Sequence, residues 1–220
     1  MKRNIVLFDL DGTITDSGPL IMNVVQETLN ELGVKPQTDE QLKAWVGPPL
    51  FDSFRDYAKI PENEIDNAIA AYRRRYRERM YDAPLFPGIF ESIKTLHEHG
   101  FPLAVATSKL QKLARPIVEK TGLGPYFAYV AGSTADGPAQ TKADVINSAL
   151  AALKEQGYDT EHAVMVGDRF YDIEGAAKTG LEAYGVAWAG TDPAEFEGAI
   201  GIATTPEELT QLILTRANSL

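Results

Sequence analysis

The chain has 220 residues, of which 44% are hydrophobic and 24% are charged, the balance of an ordinary globular protein. This composition excludes a disordered tail protein, a collagen-like fibre and a coiled coil. The absence of cysteine excludes a disulfide scaffold, a thiol nucleophile and a cysteine-ligated zinc or iron–sulfur site. The length is enough for one sizeable domain, or for one domain with a smaller insert.

The formal net charge of −10 limits the partners that the protein can bind. An acidic surface repels nucleic acids and anionic membranes, so we expect neither as a partner. No apolar stretch approaches the ~20 residues needed to span a bilayer. The apolar run near the start of the chain stops at Asp9, too early for a secretory signal. We therefore expect a cytoplasmic protein of unknown oligomeric state.

Short runs of strand-forming residues recur along the chain. The strongest run, residues 5–8, has no polar alternation, which predicts a strand buried on both faces of a parallel sheet. Similar runs predict strands at 103–106, 126–130, 163–166, 183–188 and 200–202. Helical patterns lie between several of these runs. The alternation predicts an α/β fold, a Rossmann-like open parallel sheet with helices on both faces.

The interval between residues 17 and 83 has helical periodicity and no strand pattern. We expect it to form an all-helical domain inserted after the first strand, with residues 1–16 and 84–220 forming the α/β core. Turn residues at both junctions suit hinges. The arginine-rich run at 73–79 predicts a solvated, ion-paired helix face, because segment 16–83 carries nine basic and twelve acidic residues.

Acidic residues follow two of the predicted strands. Asp9 and Asp11 follow the first strand, Asp168 follows the strand at 163–166, and Asp172 comes four residues later. Because the carboxyl ends of parallel strands form the crevice of an open sheet, we expect these side chains to meet there. Buried carboxylates repel one another unless a cation compensates them. Taken singly, each has an ordinary alternative: Asp-Gly is a common turn, and Asp168 and Asp172 suit helix capping.

Three further residues have the chemistry of an anion site. Thr107 and Ser108 end the second strand at a helix entrance, where a hydroxyl and free amides form either an anion seat or a simple N-cap. Lys142 lies at a helix start, where a cation is slightly unfavourable, and this favours a functional role. Oxygen ligands without histidine or cysteine suit Mg²⁺. A lysine, a hydroxyl and Mg²⁺ around a carboxylate suit a transferring phosphoryl group.

These motifs resemble those of the haloacid dehalogenase-like hydrolase superfamily. The matching residues are DLDGT at 9–13, Thr107, Lys142 and GDRFYD at 167–172, in the order of the family, and the resemblance covers essentially the whole chain. The segments DGTITDSGPLI, WVGPPL and LFPGIFESIKTLHEHG are most similar to the phosphoglycolate-phosphatase-like branch. The helical insert resembles the cap of that branch.

The resemblance implies a Mg²⁺-dependent phosphatase that hydrolyses a small phosphorylated metabolite through an aspartyl-phosphate. It implies that Asp9 is the nucleophile and that Asp11 first protonates the leaving oxygen and then activates water. It also implies that Mg²⁺ is held by Asp9, Asp168 and the backbone carbonyl of Asp11, and that Asp172 orients the metal shell and Lys142. Thr107, Ser108 and Lys142 would bind the phosphoryl group.

Several related activities stay open at this point. Asp11 favours phosphoryl transfer, because dehalogenases of the superfamily lack an acid two residues after the nucleophile. A 5′-nucleotidase, a pyrophosphatase and a β-phosphoglucomutase-like phosphomutase remain alternatives, although such mutases usually carry Glu where this chain has Gly167. A receiver-type signalling module would need no helical insert. A binding protein without turnover would not need the full acid set.

The helical insert offers candidates for substrate contact. Gly47 and Pro48 lie in a rigid turn that we expect to reach the crevice, and Arg55 is a candidate for a substrate carboxylate, although a solvated arginine is more usual. Arg169 replaces the small hydroxyl residue that is common at this position, and we expect it to be a surface variation.

Overall fold

The computed structural model describes residues 5–134 and 140–217. Its strands are β1 (Ile5–Phe8), β2 (Leu103–Leu110), β3 (Tyr129–Ser133), β4 (Ala163–Gly167), β5 (Glu182–Val186) and β6 (Gly201–Ala203). They form one sheet in the order β3-β2-β1-β4-β5-β6. Every neighbouring pair is parallel. The predicted Rossmann-like open sheet is confirmed.

The helices divide between a four-helix insert after β1 and the layers that flank the sheet. They are α1 (Gly18–Glu31), α2 (Asp39–Lys43), α3 (Leu50–Asp56), α4 (Glu62–Arg79), α5 (Ile89–Glu98), α6 (Gln111–Lys120), α7 (Lys142–Glu155), α8 (Phe170–Lys178) and α9 (Pro206–Ala217). Residues 135–139, which lie between β3 and α7, are outside the described part of the chain.

The central strand β1 explains the two layers. Val6 and Phe8 pack into the apolar cluster that contains α5, α6 and α9, whereas Ile5 and Leu7 pack into the cluster of α7 and α8. All four side chains are fully buried. A strand buried on both faces needs apolar residues at every position, which is the pattern of residues 5–8.

Two sequence-based expectations about local structure need correction. The strand predicted at 126–130 begins at Tyr129, because Gly124–Tyr126 form a 3₁₀ turn that Pro125 favours through its fixed φ. The helix whose entrance we predicted directly after Thr107 and Ser108 is α6, which begins only at Gln111 and contains Pro116. In addition, β2 extends to Leu110, with an irregularity between Thr107 and Leu110.

The four insert helices form the segment that we call the helical insert (residues 18–79). Its core is the apolar face of α1, with Ile21, Val24 and Leu29, packed with the Ile65, Ile69 and Tyr72 face of α4. The segments that enter and leave the helical insert lie side by side, and the Asp16 amide donates to the Pro84 carbonyl at 2.8 Å. The division into two domains stays a prediction.

Three arginines of the run in α4 pair with acids of α1. Arg74 lies 3.0 Å from Glu31, Arg75 also pairs with Glu31, and Arg79 lies 2.6 Å from Glu27. These contacts agree with an ion-paired helix face, and such exposed pairs add little stability. Within the described part of the chain, every helix is too short or too polar to cross a bilayer.

Candidate active site

The predicted residues meet at the carboxyl edge of the sheet. Asp9 follows β1, Thr107 lies in β2, Asp168 follows β4, Lys142 begins α7 and Asp172 lies in the first turn of α8. All of them are buried, with at most 7% of their surface exposed. Parallel strands end at one edge, so residues far apart in sequence meet there.

Lys142 joins two of the acids. Its Nζ lies 2.8 Å from Asp9 Oδ1 and 2.7 Å from Asp172 Oδ1. Thr141 caps α7 through a capping box with Asp144, which fixes the helix start that carries Lys142. Burial alone would lower the pKa of Lys142, but the carboxylates of Asp172 and Asp9 outweigh it and hold the pKa above its ordinary value. Lys142 is therefore a permanent buried cation.

Two glycines make room for the acids. Gly12 has a φ of +83°, and a Cβ there would lie 2.2 Å from Asp168 Oδ2. A Cβ on Gly167 would lie 2.1 Å from Asp172 Cγ. Both distances are shorter than any real contact, so a side chain at either position would displace an acid. The glycines of the two acidic motifs are thus required by close approach.

The donor set of this cluster fits a hard divalent cation. Carboxylate oxygens of Asp9, Asp168 and Asp172 lie within 4.8 Å of one another. Buried oxygens Asp9 Oδ1 and Asp172 Oδ1 receive no hydrogen bond of good geometry, although the Lys142 ammonium lies within 2.8 Å of each. Three carboxylates face one ammonium, so negative charge remains uncompensated. Oxygen-only ligands and excess negative charge fit Mg²⁺.

Burial and the crowding of these acids raise the pKa values of Asp168 and Asp172. Burial raises the pKa of Asp168 well above its ordinary range, and the nearby Asp172 and Asp9 raise it further. Burial also raises the pKa of Asp172 to about 6, against the lowering effect of Lys142. Both groups therefore hold a proton more tightly in the folded chain than in the unfolded chain.

These shifts predict how stability depends on pH without metal. For a carboxyl with a raised pKa, the stabilising contribution is present below its ordinary value of 3.8 and disappears as pH rises through the folded value. In EDTA, we expect the free energy of unfolding of the parent protein to fall as pH rises from about 4 to 7. The same measurement on Asp172→Asn should give a fall that is smaller by about a few kcal/mol. Urea titrations across this range measure it. A fall that is equally steep in the Asn variant would contradict the assignment.

Asp11 has partners that the sequence analysis did not anticipate. Its Oδ2 lies 2.7 Å from Lys109 Nζ, and its Oδ1 accepts a 2.6 Å hydrogen bond from Ser17. Lys109 also donates to the Tyr76 hydroxyl of α4 at 2.9 Å and lies over its ring. Burial would lower the pKa of Lys109, but Asp11 and the Tyr76 side chain raise it above its ordinary value. The sequence did contain a signal for Lys109. It comes two residues after Thr107, and residues two apart in a strand share a face.

A cavity of about 100 Å³ lies between this edge and the helical insert. Its core side includes Asp9, Asp11, Thr107, Ser108 and Lys109. Its insert side includes Gly47 and Pro48, together with the apolar or aromatic residues Trp45, Leu50, Phe51, Ile69, Tyr72 and Tyr76. The structure thus places Gly47 and Pro48 at the cavity, on the side that belongs to the insert.

The two arginines of the insert occupy different places. Arg55 is not among the residues that line this cavity; its guanidinium lies 2.8 Å from Asp56 and 3.0 Å from Asp52, and its side chain is 41% exposed. Arg73 of α4 lines the cavity instead. The sequence did not distinguish Arg73 from its neighbours, because the whole run 73–79 is basic.

Arg169 is not a surface variation, which corrects our expectation. Only 18% of its side chain is exposed, its Nε lies 2.7 Å from Glu195 Oε2, and its guanidinium donates to the Val46 carbonyl of the insert. The sequence pattern could not show this contact, because Val46 is more than 120 residues away.

The comparison with protein families agrees with the site. A family model described as haloacid dehalogenase-like hydrolase matches residues 6–186. The chain therefore belongs to the haloacid dehalogenase-like hydrolase family.

Individual relatives have several described activities. The chain is 38% identical over 166 residues to the tyrosine-protein kinase PtkA of Mycobacterium tuberculosis, covering 75% of this chain but only 55% of that protein. It is 35% identical over 165 residues to a 5′-nucleotidase of Pseudomonas aeruginosa, covering 74% and 73%. A crystal structure of a predicted phosphatase from Clostridium acetobutylicum superposes with a TM-score of 0.89 at 36% identity, covering 98% and 100%. The names of these relatives thus describe a kinase, a nucleotidase and a predicted phosphatase.

Proposed function

We propose that the protein is a Mg²⁺-dependent phosphatase that hydrolyses a small-molecule phosphate monoester through an aspartyl-phosphate. The observation that carries the proposal is the buried cluster in which Lys142 bridges Asp9 and Asp172 beside Asp168, next to a cavity that Asp9 and Asp11 line. A carboxylate nucleophile, a fixed cation and a second acid near the cavity are the groups that phosphoryl transfer to aspartate requires.

In the first half-reaction, a carboxylate oxygen of Asp9 attacks phosphorus and the bond to the leaving oxygen breaks. Asp11 gives its proton to that oxygen, so the product leaves as an alcohol. Lys109 and Ser17 then stabilise the carboxylate that remains on Asp11. In the second half-reaction, Asp11 takes a proton from the attacking water, and the phosphorus–Asp9 bond breaks to release phosphate.

The other residues hold the phosphoryl group and the metal. Lys142 offsets the charge on Asp9 and on the phosphoryl oxygens, and Thr107 and Ser108 offer a hydroxyl and amides from β2. Asp9, Asp168 and the Asp11 carbonyl would hold Mg²⁺, with Asp172 orienting Lys142 or serving as a further carboxylate ligand. Bound Mg²⁺ supplies positive charge that stabilises the charge developing on the phosphoryl oxygens. The helical insert serves as a cap that excludes water from the cavity.

The substrate class is tested by phosphate release with Mg²⁺ across phosphoglycolate, nucleoside 5′-monophosphates, sugar phosphates and pyrophosphate. We expect hydrolysis of at least one small monoester and its loss in EDTA. Conversion of glucose 1-phosphate to the 6-isomer without free phosphate would instead establish the mutase. Phosphate transfer from ATP to a tyrosine peptide would establish the activity that the name of the mycobacterial relative describes.

Replacing Asp11 with asparagine is expected to slow both formation and hydrolysis of the phosphoenzyme, by about 10²-fold or more in turnover, because Asn can neither give nor take the proton. Rapid quench with a radiolabelled ester measures both steps. Ser17→Ala is the matched comparison: it removes one contact of Asp11 but keeps the acid, so we expect a much smaller loss. Unchanged rates in Asp11→Asn would assign the proton transfer to another group.

A further inference from the structure

Arg169 occupies a junction between the core and the helical insert. It immediately follows Asp168 and precedes α8. Its Nε contacts Glu195 of the core at 2.7 Å, and its Nη1 donates to the Val46 carbonyl of the insert. The planar guanidinium allows one side chain to make both contacts in fixed relative directions.

Val46, the partner of Arg169 in the insert, belongs to a segment that covers the substrate cavity. We call residues 44–49, which join α2 to α3, the insert loop. Gly47 in this loop has a φ of +109°, and a Cβ there would lie 3.3 Å from Arg169 Cγ. Gly47, Pro48 and Pro49 line the cavity. The loop backbone therefore lies directly against the Arg169 side chain on one side and the substrate cavity on the other.

The core side of the contact is firmly fixed. Glu195 lies in a 3₁₀ turn, Pro193–Phe196, and the buried Phe196 ring packs where Gly185 of β5 leaves room. The Phe170 amide, the first of α8, also donates to Glu195 Oε2 at 3.3 Å. Glu195 thus holds the guanidinium from a turn that packs against β5.

The space behind the insert loop explains why a polar contact matters here. A second cavity of about 520 Å³ lies between the insert residues Lys43 and Val46 and the core residues Gly190 and Asp192. Arg169 is part of its wall. Because apolar packing does not fill this space, the contact between Val46 and Arg169 joins the insert loop to the core on this side.

We propose that Arg169 is a positioning residue that fastens the insert loop to the core through Val46 and Glu195, and thereby keeps the roof of the substrate cavity closed. A serine at position 169 would be too short to reach both partners. The contact joins the loop that covers the substrate to the residue next to the Asp168 carboxylate. Closure of the insert and the geometry of the acidic cluster are therefore linked through one side chain.

The direct test is amide hydrogen exchange in the full chain, at residues 45–47 of the insert loop and at Leu50, the first residue of α3. We expect Arg169→Ser to accelerate exchange there by about tenfold or more, because the variant loses a charge-assisted hydrogen bond. Glu195→Gln should accelerate it less, because the Val46 contact remains. The control is Arg216→Ser, which removes an exposed ion pair with Glu182 away from the loop. Loop exchange equal to that of the control would overturn the proposal.

A kinetic test separates positioning from general weakening of the fold. With p-nitrophenyl phosphate, we expect Arg169→Ser to raise KM by about tenfold with less change in kcat, and Arg169→Lys to recover only part of the loss. A fall of about tenfold in kcat with an unchanged KM would contradict a role in positioning the insert loop. This arm rests on the proposed phosphatase activity; if the parent protein releases no phosphate, the proposed function fails while the exchange measurement still decides the role of Arg169.

Discussion

Asp9→Asn is expected to abolish phosphate release while leaving the fold at least as stable as the parent. The substitution removes the nucleophilic oxygen, and loss of such a group lowers turnover by about 10⁴-fold or more. It also removes one of three carboxylates that face a single ammonium. Asp9 contributes to the raised pKa of both Asp168 and Asp172, so its charge opposes theirs in the folded chain. Lys142 keeps Asp172 as a partner at 2.7 Å.

Two measurements on the same samples check this expectation. Phosphate release with Mg²⁺ reports activity, and urea unfolding in EDTA reports stability. Asp66→Asn is the matched control, because it makes the same chemical change on the exposed side of α4. We expect the control to keep parental activity and stability. Near-normal turnover in Asp9→Asn would remove Asp9 as the nucleophile, and a large loss of stability would show that its charge supports the fold.

The acidic site could be anticipated because its residues obey a rule of topology. Asp9 and Asp168 each follow a run of buried apolar residues, and parallel strands place such positions at one edge. Lys142 needed a second kind of reasoning, since a cation at a helix start is unfavourable unless something compensates it. Local sequence rules thus placed each residue at the end of its element, and the sheet brought the elements together.

The contacts between the insert and the core could not be anticipated in this way. Lys109 reaches Tyr76, and Arg169 reaches Val46, across interfaces that have no periodic sequence pattern. Arg55 and Arg73 illustrate the same limit: both lie on insert helices, yet only the packing of α4 brings Arg73 to the cavity. Which cations face a substrate depends on the orientation of whole helices, which a linear pattern does not specify.

Lys142→Met is expected to be the most destabilising substitution at the site in the absence of metal. The methionine preserves most of the buried chain but leaves Asp9 and Asp172 without the cation that pairs with both. Removing one partner of a buried ion pair costs about 3–5 kcal/mol, mainly because the remaining charge is uncompensated. Protonation of Asp172, whose pKa is already raised to about 6, would relieve part of the loss at low pH.

Mg²⁺ and a second substitution turn this expectation into a test of charge compensation. Urea unfolding at pH 7.5 should show that saturating Mg²⁺ stabilises Lys142→Met more than the parent, because the metal replaces the missing positive charge. Adding Asp172→Asn should recover stability in the variant, giving a coupling between positions 142 and 172. Lys154→Met, on the exposed side of the same helix, is the control. If Lys142→Met were as stable as this control in EDTA, the ammonium would not be what holds the three carboxylates together, and the electrostatic basis of the proposed phosphoryl site would be wrong.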